Sequence, residues 1–279
     1  MKQLLLSIAF IAAIQMIHAQ QKEGTVLYQR KVNTWKMVNN DQIRNFAPEF
    51  NVSKFVLYFN DSISMYKVSA DENAPEPFAG DGGGGFRRFN FGGSGDGDLF
   101  KNFTTSLATQ ATELGGKNFL IIDTIKKAPW KITAETKQIL GINCRKATRK
   151  VLQPVRQQRN LNFNRNNGST ATTDTAKPAA PKEIEVVAWF AQTILAPVGP
   201  DAYGQLPGVI LELNIDDGTT VYTALEVKQT VDAKELREPK KGKRITKQAY
   251  AQLQRELFQN QGGGGFGGQG GGQIIIRGN

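Results

Sequence analysis

Five glutamates, Glu135, Glu183, Glu185, Glu212 and Glu226, are the residues best suited to chemistry in this chain. They fall in or near stretches of strand composition. A two-carboxylate glycosidase needs a pair of such groups facing one cleft, one donating a proton and the other acting as base or nucleophile. The spacing shows no such pair, and a charged residue in a strand ordinarily lies on its solvated side. Other catalytic constellations are scarcer still. The only histidine is His18 and the only cysteine is Cys144. His18 lies in a segment that reads as a secretory leader: Lys2, then an apolar run over 4–17 broken by Ser7 and Gln15, then the small residue Ala19. Cleavage after Ala19 or Gln20 removes His18, and with it any Ser-His-Asp or Cys-His arrangement and any histidine metal ligand.

Cys144 has no partner for an internal disulfide. Arg145, Lys146 and Arg149 are near enough in sequence to activate it as a thiolate. Against that, it alternates with Ile142, Lys146 and Thr148 and shares the Ile142 face, which predicts a buried small hydrophobe. Asp96 and Asp98, with Asp81, fall short of the six or more oxygens that calcium takes. The run Gly82, Gly83, Gly84, Gly85 lacks the Gly-Lys-Ser/Thr ending of a phosphate loop. No cofactor and no metal is expected.

Binding chemistry is better represented. The formal charge of the 279 residues is +10, and loss of Lys2 from the acid-free leader makes it +9. Phe86, Arg87, Arg88, Phe89 and Phe91 stand among glycines, an arrangement that can adapt to anionic or glycan surfaces. Arg156, Arg159 and Arg165 form a second basic group, and Lys240, Lys241, Lys243 and Arg244 a third. The competing reading of these runs is a solvated linker. Anionic lipid, acidic polysaccharide, an acidic partner, an outer-membrane or envelope protein, or an apolar ligand are the expected partners. Nucleic acid is not.

The elements that must carry these residues are short strands. Strand composition occurs at 25–32, 52–59, 62–68, 119–125, 130–133, 137–140, 143–152 and 183–193, with a hairpin turn at Asn60-Asp61 and a bend between strands at Leu140-Gly141-Ile142. Residues 209–215 and 219–228 form a hairpin around Asp216, Asp217 and Gly218. Ile245, Ala249, Leu253 and Leu257 predict a helix over 243–259 with Thr246 as its cap. Two insertions, at about 70–98 and 153–182, and a Gly-rich tail over 260–279 have the composition of disordered chain. The tail ends in Ile274, Ile275 and Ile276, which suit a short strand added to an open edge of this protein or of a partner. After the leader, residues 21–259 therefore read as one mainly β domain. A single curved antiparallel sheet, half-barrel or barrel, encloses a core around Trp130, Trp189 and Leu211, with a C-terminal helix.

One segment is more specific. Ala188-Trp189-Phe190 is followed by Pro197, Gly199-Pro200, Tyr203, and then Gln205-Leu206-Pro207-Gly208-Val209-Ile210. With Trp130-Lys131-Ile132-Thr133 and Ile139-Leu140-Gly141-Ile142-Asn143-Cys144 upstream, this resembles the GLPGLI family of exported Bacteroidetes proteins, whose name is the hexapeptide. Here Gln205 and Val209 replace its first glycine and second leucine. The resemblance implies an exported envelope protein of unknown activity, periplasmic or extracellular; the leader holds no cysteine, so no lipoprotein anchor is expected. A looser similarity in strand content links it to half-barrel lipoprotein carriers. Physically, Pro197 and Pro200 forbid continuous sheet pairing, and Pro207-Gly208 sets up a reversal into the strand that follows. A turning role is favoured over a binding one. If a site exists, Trp130, Trp189, Tyr203, Leu206, Pro207 and Gly208 are its candidates, beside the Phe86, Arg87, Arg88 and Phe89 loop. A non-catalytic binding or accessory role is the expectation, with a carboxylate hydrolase as the alternative.

Overall fold

The computed structural model describes residues 21–37, 44, 47–69, 97–153 and 180–262. The leader, nearly all of both insertions, the Phe86–Phe89 group, Asp81, Asp96 and the isoleucine tail lie outside the described residues.

The chain is mainly β. Twelve strands form one open sheet: β1 (Gly24–Asn33), β2 (Phe50–Phe59), β3 (Ile63–Val68), β4 (Leu99–Asn102), β5 (Leu107–Leu114), β6 (Lys117–Thr124), β7 (Lys131–Ile139), β8 (Ile142–Gln153), β9 (Lys182–Ala191), β10 (Ile210–Ile215), β11 (Thr220–Lys228) and β12 (Lys243–Thr246). Their order across the sheet is β12-β6-β5-β4-β3-β2-β1-β11-β10-β9-β8-β7. The barrel does not close by strand pairing, because β12 and β7 each have one neighbour. A one-turn helix α1 (Thr34–Met37) follows β1, and α2 (Lys247–Gly262) follows β12.

The turns behave as their residues dictate. Asn60 Oδ1 accepts from the Ser62 and Ile63 amides at 2.9 Å, an Asx-type turn between β2 and β3. Leu140 and Gly141 both take positive φ, 51° and 76°, as a two-residue hairpin turn of the twist-compatible kind requires. The β10–β11 turn puts Asp216, Asp217 and Gly218 all at positive φ, with the Gly218 amide donating to Asn214 Oδ1 at 2.6 Å.

Four expectations need correction. The segments 130–133 and 137–140 are one strand, β7. It is interrupted by an irregularity between Ile132 and Thr136 where Arg145 Nε donates to the Thr133 carbonyl at 3.0 Å. Residues 243–246 are strand, not helix: β12 pairs parallel with β6, so the sheet is not purely antiparallel. The helix starts at Lys247, and Thr246 Oγ1 accepts from the Ala249 amide at 3.2 Å as its cap. Strands β4 and β5 occupy a stretch where no strand was expected. Finally, Leu211 is fully buried, but Trp130 and Trp189 are only half-buried at the margin of the core. On β9, Ile184, Val186, Ala188 and Phe190 turn inward, which aims Trp189 to the opposite face.

The sheet must be strongly curled. Strands β6 and β7 stand ten positions apart in the strand order. On a flat sheet that is about 48 Å at about 4.8 Å per strand. Yet only residues 125–130 join them, a link that spans about 25 Å at full stretch. Curling brings Val26, Tyr28, Phe55, Leu57, Phe59, Tyr66, Val186, Ala188, Leu213, Tyr222 and Ala224 into a single core. A smaller cluster of Met65, Phe100 and Leu236 packs elsewhere on the sheet.

Candidate functional site

The inside of the curl is filled by the chain itself. After β9 the segment 192–209 folds across the sheet, burying Ile194, Val198, Pro200, Leu206 and Val209. Proline and glycine make this path possible. Pro197 and Pro200 keep the segment out of the ladder, so it bonds to itself: Gln205 N to Pro197 O at 2.9 Å, Tyr203 N to Pro200 O at 3.1 Å and Ile210 N to Val198 O at 3.0 Å. Asp201 and Gln205 take positive φ of 55° and 65° to complete the reversal.

Side chains from widely separated parts of the sheet hold this segment. From β4, Lys101 Nζ donates to the carbonyls of Asp201 and Tyr203 at 2.6 and 3.2 Å. Just before β7, Trp130 Nε1 donates to the Gly204 carbonyl at 3.0 Å. Gln205 Oε1 accepts from the Ala128 amide at 2.7 Å, and Gln205 Nε2 donates to the Lys126 carbonyl. Underneath, Tyr28 Oη donates to the Ile210 carbonyl at 2.6 Å. The Arg149 guanidinium lies between the Trp130 and Tyr203 rings, 4.7 and 4.9 Å from their centroids. Arg30 covers Phe55 at 4.7 Å, and Phe55 stacks on Tyr66 at 5.1 Å.

Burial sets the protonation of this cluster. It pushes the Tyr28, Tyr66, Tyr203 and Tyr222 hydroxyls up, so all four stay neutral at ordinary pH. It lowers Arg149, against which Tyr203 acts in the opposite sense. Lys101, 8% exposed, is brought down to about 8 by loss of hydration, with the Asp201 carboxylate opposing. The Tyr66 hydroxyl and Arg149 Nε are buried without a hydrogen-bond partner.

The Lys101 shift gives a pH signature. Unfolded lysine holds its proton to about pH 10.4. Folded Lys101 releases it near 8. Between these values the unfolded chain binds more protons, so Lys101 adds stability as pH rises and withdraws it as pH falls. Cys144 works in the other direction, because its folded pKa is raised, so wild type alone does not isolate the effect. The stability of wild type minus that of Lys101→Met should therefore grow by about 2–3 kcal/mol from about pH 7.5 to about pH 10.5. Urea titration at both pH values measures it, and a constant difference would remove Lys101 from the account.

This arrangement is closely packed. Exposing Ile194, Val198, Leu206 and Val209 by lifting the segment costs about 6–12 kcal/mol, the size of a whole domain's stability. Of the residues expected at a site, Trp130, Tyr203, Leu206 and Gly208 are brought together here. Leu206 is core, the Pro207 ring is exposed, and the Gly208 backbone touches Ala191 and Ile194. Trp189 is apart from them on the outer face, where Lys137 Nζ lies 4.4 Å from its ring and donates to Glu212 Oε1 at 2.6 Å. Lys101, Gln205 and Tyr28 were not foreseen. Nothing in a local window marks them, since these side-chain partners are 77 or more residues away.

The other candidates are accounted for individually. Cys144 is fully buried, its Sγ donates to the Ile142 carbonyl at 3.4 Å, and burial pushes the thiol up to about 11 despite nearby Lys137. Glu135, Glu183 and Glu212 each pair with a lysine, respectively Lys146, Lys150 and Lys137, at 2.6–2.9 Å, and Glu226 with Lys228 at 3.4 Å. Among the described residues no group of three or more His, Cys, Asp or Glu is placed to hold a metal ion. Nor is any helix among them long and apolar enough to cross a membrane.

The third basic group lies on the described surface. Lys240, Lys241, Lys243, Arg244 and Lys247 are all exposed along β12, the outer edge of the sheet, and into α2. Glu238 pairs with Arg244 at 3.1 Å and Asp123 with Lys247 at 3.8 Å. Beside this edge is an open depression of about 460 Å³ between β5, β6 and the start of α2.

A family profile described as "Protein of unknown function (Porph_ging)" matches residues 130–212, the stretch from Trp130 through the buried segment into β10. No curated protein matches the chain. Among solved structures, PNGF-II in space groups P21 and C2 superposes with a TM-score of 0.48 at 16% identity in both cases, over 83% of this chain. The chain spans about a third of PNGF-II, 33% and 32% in the two forms. LprF from Mycobacterium bovis superposes with a TM-score of 0.27 at 10% identity, over 79% of this chain and 91% of that one.

Proposed function

We propose that this is an exported, non-catalytic cell-envelope protein of the GLPGLI type that binds an anionic partner through the β12 edge of its sheet. The observation that carries the reading is the group of five exposed cations from Lys240 to Lys247, of which two pair with carboxylates among the described residues. Such a group raises the local concentration of an anionic partner and speeds encounter with it. The filled interior of the curl directs binding to the outside of the sheet. The hydrolase alternative draws no support from the glutamates, four of which are engaged by lysines.

The test uses the full chain recovered from cells, whose N-terminus after export begins at Gln20 or Gln21. Binding to a soluble polyanion such as polyphosphate should weaken steeply as salt is raised to about 0.3 M, because exposed charges are screened beyond about one Debye length. Replacing Lys240, Lys241, Lys243 and Arg244 together by glutamate should weaken binding at low salt about tenfold or more. Equal binding by this variant and wild type would sink the proposal.

A further inference from the structure

We propose that the β12 edge docks on an anionic lipid bilayer, with Leu107 as the side chain that enters its interface. This rests on the reading of the edge given above and names its partner. Leu107 begins β5 and is 42% exposed. It lies in the depression of about 460 Å³ beside Ile122 and Ala251, with Lys126, Thr246 and Lys247 at the same opening. The depression also contains Asp123, whose carboxylate is 3.8 Å from Lys247 Nζ. Lys127, next to Lys126, is exposed as well.

Charge complementarity selects the occupant. Pairing β12 in parallel with β6 sets Lys243 opposite Phe119 and Thr246 opposite Ile122, and pairing β5 with β6 sets Leu107 opposite Thr124. Side chains alternate along β12 and β6, so Arg244 and Thr246 share the face of Leu107 while Lys243 points to the other. The chain over 240–247 runs toward the Leu107 end of the sheet, where Lys126 and Lys247 stand at the same opening. Lysines beside an exposed apolar side chain, with further cations along the adjoining edge, match a surface that is anionic outside and apolar a few ångströms within. A soluble polyanion uses the cations and gains nothing from the leucine.

The experiment compares vesicles of phosphatidylcholine with about 30 mol% phosphatidylglycerol, vesicles of phosphatidylcholine alone, and soluble polyphosphate. Wild type should bind the anionic vesicles and not the neutral ones. Leu107→Ser should reduce partition onto anionic vesicles about five- to tenfold while leaving polyphosphate binding unchanged. Leu107→Trp should give a blue-shifted emission on anionic vesicles and be quenched by brominated acyl chains. At an exposed position both variants should melt as wild type does, and the gain of signal in the second does not depend on any loss of binding. Unchanged vesicle partition for Leu107→Ser with no quenching of Leu107→Trp would overturn bilayer docking while leaving the anionic edge intact. So would wild type binding polyphosphate but no vesicle. If the fourfold glutamate variant binds polyphosphate as wild type does, the reading of the edge itself fails first.

Discussion

Gly208→Ala is expected to remove about 3–5 kcal/mol of stability, enough to unfold a domain of ordinary stability. A Cβ on Gly208 would sit 1.9 Å from the Ala191 carbonyl oxygen, and 3.0 Å from both the Ala191 carbonyl carbon and the Ile194 oxygen. All three are backbone atoms, so no side-chain rotation relieves the overlap. The chain has to move, and two bonds hold it in place: Ala191 N to Val209 O at 2.8 Å and Val209 N to Ile194 O at 3.1 Å. Breaking such bonds in a buried setting leaves donors and acceptors without partners, at about 1–3 kcal/mol each. Urea unfolding followed by tryptophan fluorescence measures the loss. A midpoint within experimental scatter of wild type would show that the segment 192–209 is not tied to β9 as described.

Leu206→Ala is expected to cost about 2–5 kcal/mol, whereas Pro207→Ala next to it should cost about 1 kcal/mol or less. Leu206 is 2% exposed and belongs to the central core, so truncation leaves a cavity that its neighbours fill only in part. The Pro207 ring is exposed, and its contribution is mainly the restriction of the unfolded chain. The same urea titrations report both. The contrast separates two roles for the segment. A packing segment loses stability at Leu206 and Gly208 and little at Pro207. A recognition loop would show the reverse: near-neutral stability at all three positions and a binding defect at the exposed proline.

How far this could be read beforehand differs by element. The hairpins at Asn60-Asp61 and Asp216-Asp217-Gly218 are legible because these residues carry their own backbone demands, whereas Leu140-Gly141 reads only as a bend and the β7–β8 pairing makes it a hairpin turn. Strand β5, Leu-Ala-Thr-Gln-Ala-Thr-Glu-Leu, was not, because it is polar along both faces and is held as a strand by β4 and β6 on either side. At 243–246 a helical period was outweighed by parallel pairing with β6, which gives four residues a ladder that an isolated helix end lacks. Trp189 was assigned to the core on hydrophobicity alone. The period of two along β9 places it outside, since its neighbours Ala188 and Phe190 are the buried pair.

The sequence by itself determined the class of the fold, its hairpins, the burial of Cys144 and the chain reversal at Leu206-Pro207-Gly208. Each follows from alternation or backbone preference within a few residues, and such local terms act whatever the rest of the chain does. Only the tertiary structure decided that the sheet curls without closing, that residues 192–209 fill it, and that Lys101, Trp130 and Tyr28 hold them there. Those contacts join residues 100, 74 and 182 positions apart. Their energy comes from burying groups that no local pattern brings together, so the segment that looked like a turn proved to be the inside of the protein.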